Sequence, residues 1–126
     1  MNSLKKTSPN LNSKDSNFEN QQYLYLTTRG RKTGVPREIE IWFTHREGRF
    51  YLIAEYATSN WVQNLIANPE VQVRLAGKTC KARARVIPSE TDLSRAVQQL
   101  SREKYGWGDG LIVELKPENE ELRTEN

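Results

Sequence analysis

The chain has 126 residues, one cysteine, one histidine and a net charge of +3. This length is enough for one domain with its own core, and a single cysteine excludes an internal disulfide and favours a reducing compartment, so we expect a cytoplasmic protein. No run approaches the roughly 20 apolar residues that span a bilayer, and we expect neither a transmembrane segment nor a secretory signal.

The two ends of the chain differ in composition from its middle. Residues 1–20 are rich in Asn, Ser and Lys and predict a disordered or loosely packed N-terminal arm. Residues 118–126 predict a polar C-terminal tail. The regular apolar patterns lie between these ends, and we therefore predict one folded domain over residues 21–117.

Patterns within this domain predict six strands and two helices. Aromatic and branched residues favour a strand at 23–28, and strict alternation favours a second strand at 37–44. The other predicted elements are strands at 50–55, 70–76, 81–87 and 111–115, and helices at 61–67 and 91–104. Strands joined mostly by hairpins indicate a mainly β (α+β) fold, namely a small closed or split six-stranded β-barrel with two flanking helices.

Residues 29–37, here called the basic turn, connect the first two predicted strands. They contain four cationic side chains and no acid. Gly34 can adopt positive φ, which lets successive backbone N–H groups point into one concavity. Arg31 and Arg37 can each grip an oxyanion with two N–H groups, and Lys32 adds a mobile charge. The basic turn therefore predicts a site for a phosphate or carboxylate.

A second basic segment, residues 74–85, contains five cations and no acid. Two such segments on a small domain predict a positive potential that attracts anions. Nucleic acid is the less favoured partner, because the arginines here alternate with small apolar residues and no aromatic stacking surface accompanies them. We therefore expect a small anionic ligand.

Few residues offer catalytic chemistry of their own. His45 and Cys80 cannot assemble a metal site, so we predict none. They are interpreted as a solvated turn histidine and a packing residue. Tyr105 and Trp107 lie among glycines, either as a mobile cover for a flat ligand or as anchors of a turn. An anion-binding site without residues for general acid–base catalysis is typical of a protein whose chemistry comes from a bound cofactor.

Three ordered segments resemble the deazaflavin-dependent nitroreductase family, and the similarity extends over residues 23–117. The first is the sequence LTTRGRKTGVPR at 26–37. The second is WVQNLIANPEV at 61–71, and the third is ARARV at 82–86. The resemblance implies a split β-barrel related to the flavin-binding pyridoxamine-phosphate-oxidase fold. It also implies coenzyme F-420 (8-hydroxy-5-deazaflavin) as cofactor and hydride transfer to a quinone, nitroaromatic or other electron-poor acceptor.

The resemblance also implies site residues. Residues that would hold the phosphate and polyglutamate tail, or donate to them, are Arg31, Lys32, Thr33, Gly34 and Arg37. Those that would lie beside the ring or border its pocket are Ile53, Ala54, Trp61 and Asn64. Tyr105 or Trp107 would lie on the acceptor side.

One segment departs from the family pattern. Family members often carry a longer loop with a lysine before the first helix, whereas here residues 55–60 are short, lack lysine and begin with Glu55. This leaves FMN as an alternative cofactor, since FMN needs a phosphate-binding site but has no polyglutamate tail. A non-catalytic flavin- or haem-binding module is the alternative to an enzyme. Related barrels often form homodimers, and a dimer is a further expectation.

Overall fold

The computed structural model describes Phe18 and residues 20–118, and it forms seven strands and two helices in this part of the chain. The strands are β1 Tyr23–Arg29, β2 Pro36–Trp42, β3 Thr44–Arg46, β4 Arg49–Ala54, β5 Glu70–Leu75, β6 Lys78–Ile87 and β7 Leu111–Pro117. The helices are α1 Asn60–Ala67 and α2 Asp92–Tyr105. Neither described helix is long and apolar enough to cross a membrane.

The strands form one antiparallel sheet that curls into a split barrel. Their order is β2-β1-β5-β6-β7-β4-β3, so β2 and β3 lie at opposite edges of the sheet. Only Phe43 separates these two strands in the chain, and the chain therefore joins the two edges. Beyond this junction, the described parts of β2 and β4 form no ladder with each other, which leaves the barrel open along one side. The predicted fold class is confirmed.

The predicted number of six strands is wrong by one, because the single strand expected at 37–44 divides at Phe43. The apolar–polar alternation of the sequence continues to Thr44, but residues 43–45 are all buried, and β2 pairs with β1 whereas β3 pairs with β4. At the break, the Phe43 N–H donates to the Tyr105 hydroxyl at 3.0 Å. The Phe43 carbonyl accepts from Lys104 Nζ at 3.1 Å and lies 2.8 Å from the Tyr105 hydroxyl. The end of α2 thus satisfies backbone groups that a strand break would leave unpaired.

The barrel core is built from alternate residues of the strands. Its fully buried members include Leu24, Leu52, Val73 and Leu115. Ile39 and Ile41 of β2 are partly buried against it, as the predicted alternation requires. Cys80 lies inside β6, which begins three residues earlier than predicted, and it packs against the same core.

Two buried rings were not expected from the sequence. Phe18, assigned to the N-terminal arm, is fully buried and lies edge-on to His45 at 5.2 Å between ring centroids. The interpretation of His45 as a solvated turn residue is wrong, because its side chain is buried between Phe18 and Phe50. Residues 1–17 and 19 of the predicted arm and residues 119–126 of the predicted tail lie outside the described residues.

The helices occupy two different sides of the sheet. Helix α1 contacts β1 and β6 and buries Val62, Asn64 and Leu65. Helix α2 begins where Thr91 accepts a hydrogen bond from the Ser94 N–H, a common helix cap. It packs Leu93 and Val97 on the outer face of β4 and β7. These positions place α1 beside the basic turn and the end of α2 beside the β2–β3 junction.

Candidate cofactor site

The basic turn is a compact hairpin connection held by its own backbone. The Gly30 N–H donates to the Val35 carbonyl at 2.9 Å, and the Gly34 N–H donates to the Gly30 carbonyl at 2.7 Å. The Thr33 hydroxyl accepts from the Val35 N–H at 3.1 Å. Gly34 has a φ of 75°, a conformation that glycine adopts without strain. The Thr33 and Gly34 groups predicted to donate to a ligand are therefore partly used in shaping the turn.

A buried asparagine of α1 fixes the basic turn to the barrel. Asn64 is 4% exposed, and its Oδ1 accepts from the Arg31 backbone N–H at 3.1 Å and from Arg31 Nη1 at 2.8 Å. Arg31 Nη2 also lies 3.4 Å from Asn60 Oδ1. The guanidinium is thus oriented by neutral amides, which leave its positive charge uncompensated.

No acidic oxygen of the described residues lies within 4.0 Å of any cation in the basic turn. Arg29 donates to the Gly34 carbonyl, a neutral group, at 3.2 Å. Arg37 is exposed and stands opposite Thr28 on β1. Because cross-strand partners share a face and Thr28 is buried, Arg37 lies at the mouth of the barrel. The turn presents fixed positive charge at this opening.

The second basic segment differs from this arrangement, and from the expectation of strong positive potential. Arg74 makes two hydrogen bonds to Glu38, at 3.1 and 3.2 Å. Two further arginines of the segment pair with acids on neighbouring strands, Arg83 with Glu70 and Arg85 with Glu114. Three of its five cations are therefore neutralised, and the basic turn is the stronger candidate for an anion site.

The end of β4 forms one wall beside the open side of the barrel. Thr44 and Tyr51 are the last residues paired between β3 and β4, so Ile53 and Ala54 extend past β3. Ile53 is half-buried and Ala54 is buried. Trp61 of α1, expected to border the pocket, is half-buried and packs against the core.

An aromatic depression lies where β2 ends. It surrounds a small cavity of about 30 Å³. Its lining residues are Trp42, Phe43, Thr44, Tyr51, Ile53, Ser101, Tyr105 and Trp107. The structure thus brings Ile53, predicted beside the cofactor ring, together with both predicted acceptor-side aromatics. Trp42, which is not among the predicted site residues, stacks on Tyr105 with ring centroids 4.4 Å apart and planes 5° apart.

The loop that carries Trp107 is packed rather than open. The Ser101 hydroxyl donates to the Trp107 carbonyl. Gly110 has a φ of 129°, and a Cβ at this position would lie 2.4 Å from the Ala54 carbonyl oxygen. These contacts favour the interpretation in which the aromatics anchor a turn. The Tyr105 hydroxyl is held at the β2–β3 junction, and burial raises the pKa of Tyr105 to about 12, so this hydroxyl is neutral at pH 7.

Comparisons with known proteins agree with this architecture. The sequence model of the F420H(2)-dependent quinone reductase family matches residues 7–109. A structure described as an F420-H2 dependent reductase (FDR-A) is 20% identical with a TM-score of 0.65, over 76% of this chain and 95% of its own. The heme storage protein HutZ from Vibrio cholerae is 19% identical with a TM-score of 0.68, over 79% and 84%. A structure described as a domain-swapped dimer is 20% identical with a TM-score of 0.66, over 76% and 81%.

Proposed function

Because the chain belongs to the F420H(2)-dependent quinone reductase family, we propose that it is an oxidoreductase that oxidises reduced coenzyme F-420 and reduces a quinone, nitroaromatic or other electron-poor acceptor. The observation that carries the proposal is the basic turn, whose cations have no acidic partner among the described residues and which a buried amide holds in place. Such fixed, uncompensated charge favours a permanently anionic ligand.

The residues present fit the phosphate and carboxylate end of this cofactor. Lys32 and Arg37 are exposed at the barrel mouth and are the residues we assign to its charged groups. Arg31 adds charge to the site and ties it to α1. Glu55 is the exception, an exposed acid just after β4. We propose that its carboxylate points to solvent, away from the tail.

The ring and the acceptor are assigned to the other end of β2. Arg37 and Trp42 are five residues apart on this strand, which corresponds to roughly 17 Å. Because this spacing is odd, the two side chains lie on opposite faces of β2, and a ligand with an anionic end and a flat ring would reach both by passing around this edge strand. Ile53 and Ala54 would flank the ring, and the rings of Trp42, Tyr105 and Trp107 would cover the acceptor.

When bound, the reduced deazaflavin supplies the hydride. The protein itself positions two partners and keeps water from the space between them. The apolar side chain of Ile53 would exclude water on one side. The stacked pair of Trp42 and Tyr105 offers a flat surface on the other side. Close approach of two held reactants is the main acceleration that such a site can provide.

FMN and a non-catalytic module are the alternatives that experiment must separate. FMN would use the same basic turn, and HutZ, of similar fold, is described as a heme storage protein. The family match favours F-420 and turnover over both. We further propose a cytoplasmic homodimer, with the domain-swapped dimer structure and the single cysteine as its support.

The test is titration of the purified protein with F-420 and with FMN, followed by mixing the reduced deazaflavin complex with a naphthoquinone. We expect F-420 to bind in the micromolar range or tighter and its oxidation to depend on the quinone. Binding of neither cofactor below about 1 mM would exclude the proposal. Retained cofactor without acceptor-dependent oxidation would favour the non-catalytic module.

Charge-removing variants locate the site. Lys32→Gln and Arg37→Gln should each weaken F-420 binding by about 1.5–3 kcal/mol, since each would remove a charge-assisted contact. Lys116→Gln, an equal change of charge at an exposed position on β7, is the matched control and should bind as the wild type does. Equal affinities for all three variants would show that the basic turn does not hold the cofactor.

A further inference from the structure

Thr44 has an unusual environment for a hydroxyl. Its side chain lines the aromatic depression and is 6% exposed, and its Oγ1 has no hydrogen-bond partner among the described residues. A buried polar group without a partner destabilises the folded state. A partner that is present only when a ligand is bound would account for such a group.

The other hydroxyls around the depression are already engaged. Tyr51 donates to Glu114 Oε2 at 3.0 Å, and Ser101 donates to the Trp107 carbonyl. The Tyr105 hydroxyl is held by backbone groups at the β2–β3 junction. Of the four hydroxyl-bearing residues in the lining, Thr44 alone has a free hydroxyl in the described structure.

The size of the cavity limits what can reach Thr44. About 30 Å³ accommodates one water-sized group but not an aromatic ring. The surrounding side chains are mostly aromatic, and Trp42 at the rim is 40% exposed. A flat molecule can therefore lie on the rim while one of its substituents enters the cavity.

We propose that the Thr44 hydroxyl, after rotation about χ1, donates a hydrogen bond to a carbonyl or nitro oxygen of the electron acceptor, whose ring stacks beside Trp42. This inference rests on the proposed function and deepens it by naming the residue that would bind the oxygen of the acceptor. The hydrogen bond strengthens as negative charge develops on that oxygen when the acceptor receives hydride. Thr44 keeps its own proton and acts by stabilising charge.

The test compares Thr44→Val, which removes the hydroxyl at similar size, with Thr44→Ser, which retains it. With menadione as acceptor, Thr44→Val should lower kcat/KM by about tenfold or more, and Thr44→Ser should stay within about threefold of wild type. The melting temperature of the cofactor-free Thr44→Val protein should equal or exceed that of wild type, because an unpartnered buried hydroxyl is lost.

Binding gives a readout that does not require turnover. Menadione should quench the tryptophan fluorescence of the cofactor-free protein, with a Kd that rises in Thr44→Val and is recovered in Thr44→Ser. An unchanged Kd and kcat/KM in Thr44→Val would overturn the inference, as would a lowered melting temperature, which would reveal a structural partner. If wild type binds menadione but not F-420, the proposed function fails while the acceptor site stands.

Discussion

At the scale of single residues, the site depends on the Asn64 amide, whose oxygen accepts hydrogen bonds from Arg31. Asn64 belongs to a helix motif from which the sequence predicts a pocket residue, and its contact with Arg31 joins positions 33 residues apart. No local pattern reveals such a contact. The cations of the basic turn could be predicted because they are contiguous, whereas the group that orients them could not.

Removing this amide should loosen the basic turn. Asn64→Ala deletes the acceptor for two hydrogen bonds from Arg31, one of them from a backbone N–H. We expect the free energy of unfolding, measured by urea denaturation, to fall by about 1–3 kcal/mol, and we expect F-420 to bind more weakly. Gln63→Ala on the same helix removes one bond to the Ala57 carbonyl and is the control. If Asn64→Ala binds F-420 as tightly as Gln63→Ala does, Asn64 does not organise the site.

Thr44 and Trp42 show a second limit of sequence reasoning. Both lie in the single strand predicted at 37–44, where the alternation of the sequence assigns their faces but not their neighbours. The depression exists because the end of α2 meets the β2–β3 junction. Tyr105 and Trp107 could be selected because aromatics among glycines are conspicuous, but Trp42 carried no comparable signal.

At the scale of elements, the junction at Phe43 decides how the sheet closes. The alternation in the sequence is the same whether residues 37–44 form one strand or two. The change of partner strand at Phe43 depends on how the sheet curls to bring its two edges together, and no residue type signals it. This is why six strands were predicted and seven are formed. The hairpins, both helices and the barrel class could be predicted, because their signals are local.

Tyr105 should matter for stability through this junction. Tyr105→Phe keeps the ring that stacks on Trp42 but removes the hydroxyl bound at Phe43. It leaves the buried N–H of Phe43 without its partner, and we expect a loss of about 1–3 kcal/mol in the free energy of unfolding. Tyr56→Phe, at a ring that is 63% exposed, is the control. Equal stability of the two variants would mean that the junction does not need the hydroxyl.

At the scale of the whole molecule, charge is arranged in two ways. Across the sheet, acids on other strands pair with three arginines of the second basic segment. One of these acids, Glu114, accepts from Arg49, Tyr51 and Arg85. These hydrogen bonds hold the pKa of the Glu114 carboxyl below its usual value despite its burial, which acts in the opposite direction. Residue counts predict a total charge, but only the strand register shows which charges cancel. The cations of the basic turn have no acidic partner among the described residues, and this end of the molecule is where we propose that an anion binds.

The global stability of the fold should fall in mild acid because of one buried ring. Burial, with a smaller contribution from the charge of Lys104, lowers the pKa of His45 from 6.5 to about 4. Below pH 6.5 the unfolded chain binds a proton at His45 while the folded chain does not until about pH 4, so protonation favours unfolding throughout that window. Above pH 6.5 the ring is neutral in both states and the effect is absent.

This dependence can be isolated because His45 is the only histidine in the chain. Urea denaturation at pH 7 and pH 5 should show a lower midpoint at pH 5 for wild type, and the difference should shrink in His45→Leu. Leucine also removes the unpartnered Nε2 from the core, so the variant should retain its stability at pH 7. Glu114 contributes only at lower pH, since its carboxyl is ionised in both states above its ordinary pKa of 4.5. A pH effect of equal size in His45→Leu would show that other groups cause it. A wild-type urea midpoint that is the same at pH 7 and pH 5 would show that the pKa of His45 is not lowered in the folded state.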